Sequence, residues 1–346
     1  MSGARVRSGR TTDGLRSVVV GESPVGRALA HALGAGRVVA SGELTPEALV
    51  GADVVVLVGH SGDFAAVRSR RASDRREDIV TRTTSDVTRA AAADVGHVVG
   101  VSSAMVNGAV PGRPVIEDDE PARGEVDDGI VGDLLTFEET FRDAVAAAST
   151  RPRATILRPA CLVGPGVDTL MTRHFEAPRI LTVRGAIREW QLVHVDDVAA
   201  AVDVVVRGGL VGALTVGPRR DGAPDVLSAA EVLRVAGMRS VDLPRASAFG
   251  AAERLHRLGV LPAPASDMTF AVYPWTVSAT GLHAAGWSVS RTSEECLRLL
   301  VDQVRGRVGV AGRRVGGRDA AAAGATGAAV AVLGTAAIWR RARRGA

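Results

Sequence analysis

Two glycines, a serine pair and a scatter of acids and histidines are the residues whose types and spacing could do chemistry. Gly21 and Gly26 bracket Ser23, Pro24 and Val25 in the run VVVGESPVGRALAHAL. The β-branched run Val18–Val20 reads as a buried strand that stops at Gly21. Ser23-Pro24 then opens a helix on which Val25, Ala28, Leu29 and Ala32 recur at helical spacing, with Ser suited to the N-cap and Pro to the first helical position. Backbone N–H groups at such a helix start favour an anion, for example the pyrophosphate of a dinucleotide. Gly26 would let the helix pack closely on the strand. The G-x-x-x-x-G spacing is thin and Pro24 removes one N–H donor, so a plain strand–helix turn explains these residues as well as a cofactor loop does.

Ser102 and Ser103 follow the apolar run HVVGVS, at the carboxyl end of an expected strand, where ligands gather in an open α/β sheet. Ser103 could orient a ligand oxygen, although a serine there also caps turns. Asp127, Asp128 and Asp133 border a helix start and could supply an acid or base, a place where acids also serve as caps. His174, with Arg173 and Arg179 in MTRHFEAPR, could hold an anionic group. His194, beside Asp196-Asp197, reads as a structural histidine that borders the substrate region. Cys161 lies in an apolar run and reads as core.

The 346 residues suffice for two domains, and with 46% hydrophobic but only 3% aromatic residues the core must rest on Val, Leu and Ala. The sequence contains no lysine and a single tyrosine, Tyr273, so no amine is available as a general base or Schiff-base former. The net charge of +4 is carried by arginines. The cluster Arg68, Arg70, Arg71, Arg75 and Arg76 is broken by acids and has no interleaved aromatics, which reads as a solvated face and argues against a nucleic-acid partner. Cys161 and Cys296 have neither disulfide nor metal spacing, no metal site is expected, and the chain suits a reducing cytoplasm. Met1–Leu15 is polar and lacks the apolar region of a secretory signal.

The positioning elements alternate. Strands are expected at Arg37–Ala40, Asp53–Val58, His97–Ser102, Ala154–Leu157 and Ala213–Gly217, and helices at Ile79–Ala93, Gly132–Ala148 and from Asp196. A capping box, Ser228 to Glu231, opens a helix closed by Gly237, and Ser293-Glu294-Glu295 starts the last core helix. Asp168–Glu176 reads as irregular. Such alternation predicts βαβ units on a parallel, doubly wound α/β sheet. The second strand ends at Ser41 with Glu43 as the nearest acid, which leaves NAD and NADP open.

Together the runs VVVGESPVGRALAHAL, DVVVLV, VSSAMVNG, LRPACLVGPG and LVHVDDVAAAV resemble, in order and spacing, the extended short-chain dehydrogenase/reductases, and within them the NAD-dependent epimerase/dehydratase family. The resemblance spans roughly residues 16 to 304. It implies a Rossmann domain with a smaller substrate-binding part, and NAD or NADP as cofactor. By this resemblance the dinucleotide would meet Gly21, Ser23, Gly26, Gly59 and Pro159, and the reading of the helix start and strand ends adds Val25, Ser41, Glu43 and Ser102. Ser103 matches the catalytic serine, and His194 and Asp197 match the HVDD element. The family's Tyr-x-x-x-Lys pair is missing: its place falls on Val131 to Leu135, which leaves Ser103 and Asp133 as the remaining candidates for proton transfer and His174, Arg173 and His194 for substrate.

Two functions follow: an oxidoreductase or epimerase acting on a small molecule with a substitute acid–base pair, or a catalytically silent dinucleotide-binding module with a redox-sensing or scaffolding role. The expected organisation is 16–166 for the Rossmann domain and 167–304 for the substrate part, with elements returning to the sheet. A Gly/Arg linker, 305–319, and an Ala-rich tail, 320–346, complete it. Residues 320–339 are uncharged, and Trp339 with the arginines after it would suit an interfacial anchor, so a membrane-associated helix and a loosely ordered tail both remain open. Small residues there could also support oligomer formation.

Overall fold

The computed structural model describes residues 15–35, 37–64, 67, 70–124, 128–177, 179–257, 265–305, 307–310 and 313–316. Six strands form one parallel sheet: β1 (Ser17–Val20), β2 (Arg37–Val39), β3 (Val54–Val58), β4 (His97–Val101), β5 (Arg153–Pro159) and β6 (Gly212–Val216). Their spatial order is β6-β5-β4-β3-β1-β2, and every pair is parallel. Crossing from β1 to β2 on one side and to β3 on the other puts the switch point of a Rossmann fold at the end of β1.

Strand alternation builds two cores. Val19, Val54, Val56, Val99 and Val101 point to one face, and Val18, Val20, Val55, Leu57 and Val98 to the other. The first face is covered by helices α1 (Pro24–Ala32) and α4 (Val195–Gly208), and the second by α2 (Ala72–Ala92) and α3 (Ile130–Ala147), which pack on each other. Strands buried on both faces read as unbroken apolar runs, which is why DVVVLV and HVVGV were legible. Both β6 and α4 lie beyond residue 166 yet complete the sheet and its cover.

Three expectations are corrected. Helix α2 begins at Ala72, not Ile79, because its first two turns are polar and carry no apolar period; Arg75 fastens them by donating to the Val67 carbonyl and to Asp133. Within Asp168–Glu176, read as irregular, Leu170–His174 is a short helix started by a Thr169–Thr172 capping box. It is too short to show a period. In the Gly/Arg stretch, Arg307–Val310 pairs antiparallel with Arg313–Gly316. No helix among the described residues is long and apolar enough to cross a membrane, and the expectation for 320–346 lies outside them.

Candidate functional site

The carboxyl ends of the strands converge on the start of α1. Gly21, at φ +125°, turns the chain out of β1 and donates its N–H to the Val39 carbonyl of β2 at 2.8 Å. Ser23 is the N-cap, its hydroxyl accepting from the Gly26 N–H at 3.1 Å. A Cβ on Gly26 would lie 1.8 Å from the Gly21 carbonyl oxygen, so this position holds the helix against the turn as expected. The amide of Val25 donates to the carbonyl of Ser61 at 3.2 Å, and Pro24 has no N–H. The first amides of α1 are therefore already engaged by the protein.

Ser61 is brought there by the loop after β3. Asp168 donates its N–H to the Gly62 carbonyl at 2.7 Å, and Phe64 donates to the Asp168 carbonyl at 3.0 Å. The Asp168 carboxylate is held by Arg173 at 2.6 and 2.7 Å, and that guanidinium lies 4.8 Å from the Phe64 ring centroid. Arg173, expected to face substrate, thus fastens the loop that covers α1.

Two clefts flank Ile130. One, of about 30 Å³, is lined by His60, Ser103, Cys161, Asp168, Ile130 and Trp275 among others, room for about one water. The second, of about 260 Å³, lies over the ends of β1 to β3 and is lined by Ser41, Gly59, Arg82, Thr83, Ile130 and Asp133 among others. Ile130, Ser61 and Val67 line both clefts, and Ile130 is the one of them that comes from α3. Val131, which the sequence places in the tyrosine position, instead packs toward Gly124, where an added Cβ would come 2.7 Å from its Cγ1. Tyr273 lines neither cleft and stacks on Phe249 at 6.4 Å.

Ser103 is buried and caps a short turn, its hydroxyl accepting from the Met105 N–H at 3.3 Å. The hydroxyl of Ser102 is buried without a hydrogen-bond partner among the described residues. Asp133 is gripped by Arg75 at 2.7 Å and by Arg76 at 3.5 Å. Burial pushes its carboxyl up, against the pull of these arginines. Two members of the arginine cluster read as a solvated face are thus half or more buried ion-pair partners. Asp127 lies outside the described residues.

Around the larger cleft, Ser41 donates to the Asp86 carboxylate at 3.1 Å, and the Gly42 N–H donates to it at 2.9 Å. Glu43 is exposed and does not line the cleft. Gly59 is glycine because a Cβ there would meet the Phe137 ring at 2.4 Å. Pro159 ends β5, buried, outside both clefts. His174 is half-buried and stacks on Trp190 at 5.6 Å, and His194 is the N-cap of α4, its ring accepting from the Asp196 N–H at 3.2 Å. Neither histidine lines the two clefts.

Sequence reasoning missed Asp86, His60 and Asp168. Asp86 had a signal, a lone acid at helical spacing with Thr83, Val87 and Ala90 on the buried face of α2. Burial raises its carboxyl, opposed by the Gly42 and Ser41 hydrogen bonds. His60 is buried, and burial brings its imidazole down to about 4.

No family model matches the chain. Uncharacterized proteins of Mycobacterium tuberculosis and Mycobacterium bovis are 31% identical over 156 residues, 44% of this chain and 39% of theirs, so the matched stretch spans well under half of those relatives. Solved structures align more widely. TunA, an NAD-dependent NDP-hexosamine 5,6-dehydratase, aligns at TM-score 0.61 with 16% identity, covering 84% of this chain and 97% of TunA. MoeE5, solved with UDP-glucose and NAD, gives 0.58 at 16% identity, covering 84% and 98%. The UDP-glucose 4-epimerase of Thermus thermophilus, solved with NAD, gives 0.57 at 16% identity, covering 84% and 99%. The fold is that of the NAD-dependent epimerases and dehydratases.

Against that fold, the strand-end clefts are where a dinucleotide would lie. The adenosine half fits, since an open cleft of about 260 Å³ carries the Ser41 hydroxyl and the backbone of Gly59. The pyrophosphate half does not fit this arrangement, because Ser61 and Ser23 occupy the amides of Val25 and Gly26. Docking phosphates on α1 therefore requires the loop after β3 to withdraw.

Proposed function

We propose that this chain is a dinucleotide-binding protein of the epimerase/dehydratase type in which the proton-transfer machinery has been replaced by aliphatic packing. Binding, not turnover, is then its function. The observation that carries the reading is Ile130, an alkyl side chain between the two clefts in a chain without lysine and whose single tyrosine stacks elsewhere. An alkyl group neither gives nor takes a proton. Ser103, already engaged as a turn cap, and Asp133, held by two arginines, are poor substitutes. Ser41 and Gly59 would hold the adenosine end of NAD or NADP, and the nicotinamide would supply a hydride carrier only if a partner group could manage the proton. Because the loop carrying Ser61 and the cofactor phosphates compete for one helix end, cofactor binding would reposition that loop, which suits a sensing role.

The test is titration of the purified chain with NADH and NADPH, followed by nicotinamide fluorescence. Saturable binding with no turnover of nucleotide-sugar substrates is expected, and Ser103→Ala should leave the affinity within about twofold. Turnover that Ser103→Ala abolishes would favour the enzyme reading, in which Ser103 and a carboxylate share the proton work. Failure to bind either cofactor would overturn both.

A membrane tether is a separate part of the proposal. It rests on the uncharged run 320–339, which Trp339 ends and arginines follow. Full-length protein should sediment with membranes and a chain ending at Val304 should not; a wholly soluble full-length chain removes the tether.

A further inference from the structure

The second part of the chain contains a cation that the dinucleotide reading does not use. Arg188 is buried, 8% exposed, in the segment leading to the strand Glu189–Trp190. Its guanidinium lies 4.2 Å from the Trp190 ring centroid and 5.8 Å from that of Trp275. One terminal nitrogen donates to the Glu189 carbonyl, while Nε has no hydrogen-bond partner among the described residues. Arg188 forms none of the ion pairs found among the described residues. Burial brings its guanidinium down to about 9, opposed only through space by Cys161 and Glu189, neither of which forms an ion pair with it among the described residues. Buried charges are as a rule paired, so an unpaired one beside a cavity marks a place where a counter-charge belongs.

The cavity is there. A space of about 250 Å³ opens next to Arg188, walled by Ile180, Val183, Trp190, Val232 and Ala271. The acid in its wall, Asp242, is paired with Arg184 at 3.3 Å and accepts from the Thr182 hydroxyl at 3.3 Å, so its charge is met elsewhere. His174, stacked on Trp190, is brought down to about 4 by burial and by the Arg188 charge, and so adds no positive charge near neutrality.

We propose that this cavity binds a small monocarboxylate with an apolar body, its carboxylate seated on Arg188. A guanidinium presents planar, paired donors that match a carboxylate, and stacking on an indole leaves its edge available. One unpaired cation balances one negative charge. A phosphate dianion would call for a second cation, and Arg184 is committed to Asp242. The aliphatic and indole walls receive the remainder of the ligand, and the volume holds on the order of a dozen non-hydrogen atoms. The site does not depend on the dinucleotide reading, since none of its residues touches the strand-end clefts other than Trp275.

Calorimetric titration of the full-length chain with sodium benzoate tests it, with benzamide and inorganic phosphate as comparisons. Saturable benzoate binding at least tenfold tighter than benzamide and phosphate is expected. Arg188→Met should weaken benzoate at least tenfold, and Val232→Phe, which fills the cavity while keeping the cation, should do the same. Benzoate binding no tighter than benzamide overturns the proposal using the unmodified chain alone, so a variant that fails to fold does not protect it. Phosphate binding tighter than benzoate, or benzoate affinity unchanged in Arg188→Met, also overturns it. NADH titration of the same sample reports on the other site separately.

Discussion

Val25 at the start of α1 and Ser61 in the loop after β3 are joined by a backbone hydrogen bond of 3.2 Å, laid across the spot where a dinucleotide pyrophosphate would approach the helix. Residues from two strand ends thus satisfy the amide that this fold offers to anions. The neighbouring position has no amide to offer, being Pro24.

The first prediction follows from that shortage. Pro24→Ala restores one N–H at the first helical position. A hydrogen bond to a charged acceptor contributes about 1.5–3 kcal/mol, so NADH affinity should rise by about tenfold or more. Nicotinamide fluorescence measures it. Unchanged affinity would show that the phosphates do not contact α1.

Gly26 and Gly250 should respond in opposite directions to the same substitution. In Gly26→Ala the new Cβ meets the Gly21 carbonyl oxygen at 1.8 Å, backbone against backbone, and the β1–α1 turn must open. A loss of at least about 3 kcal/mol, a large share of the roughly 5–15 kcal/mol that ordinary domains possess, is expected. Gly250, in the helix Arg245–Arg257, has nothing within 4 Å of an added Cβ, so Gly250→Ala should stabilise by roughly 0.4–1 kcal/mol. Urea midpoints of the two variants against the parent decide both.

These two glycines also mark how far the sequence could be read. The β1–α1 turn, the six strands and the parallel sheet were legible because apolar runs of Val and Leu, an N-cap serine and a helical period are local signals. What closed the turn was not. Ser61 reaches Val25 only because Asp168, more than a hundred residues further on, pairs with Gly62 and Phe64, and no spacing rule connects those positions. The same holds for Arg75 and Asp133: each sits in a stretch that reads as solvated, and only the packing of α2 on α3 brings them to 2.7 Å. On α3 the residue that lines both clefts is Ile130, one position before the Val131 that the resemblance sets in the tyrosine place.

Glu138 is the next place to probe. It is 1% exposed and accepts from Arg158 Nε at 3.0 Å, from Arg158 Nη2 at 2.7 Å and from Arg142 at 2.8 Å. Arg158 is equally buried and donates also to the Glu120 carbonyl at 2.6 Å. Glu138 and Arg142 stand at i,i+4 in the sequence, whereas no spacing marks the buried partner on β5. Glu138→Ala leaves a buried guanidinium without its acid and should cost about 3–5 kcal/mol. Arg142→Ala, which removes only the half-exposed partner, should cost under about 1 kcal/mol. Equal effects would mean that α3 is not clamped to β5 by this pair.

Stability should fall on acidification, and buried histidines give the direction. Burial brings His60, His97 and His174 from the ordinary 6.5 down to about 4, with the Arg153 charge assisting at His97 and the Arg188 charge at His174. The folded state therefore binds fewer protons than the unfolded one. For each group the stabilising difference is complete above 6.5 and is lost as pH falls through the window from 6.5 to about 4. Asp86 and Asp133 act in the opposite sense: burial raises their carboxyls, so their contribution is present below 3.8 and fades as pH rises through the folded value. The histidine effect governs the range above them, where every tenfold loss of proton affinity on folding corresponds to about 1.4 kcal/mol. Urea midpoints should drop steadily between about pH 7 and about pH 4.5. In His60→Gln, which removes one titrating ring from the small cleft, the drop should be shallower over the same range. A parent chain whose midpoint is flat there, or a His60→Gln variant whose profile is parallel to the parent's, would mean that His60 titrates in contact with water and that the cleft beside Ser103 is open.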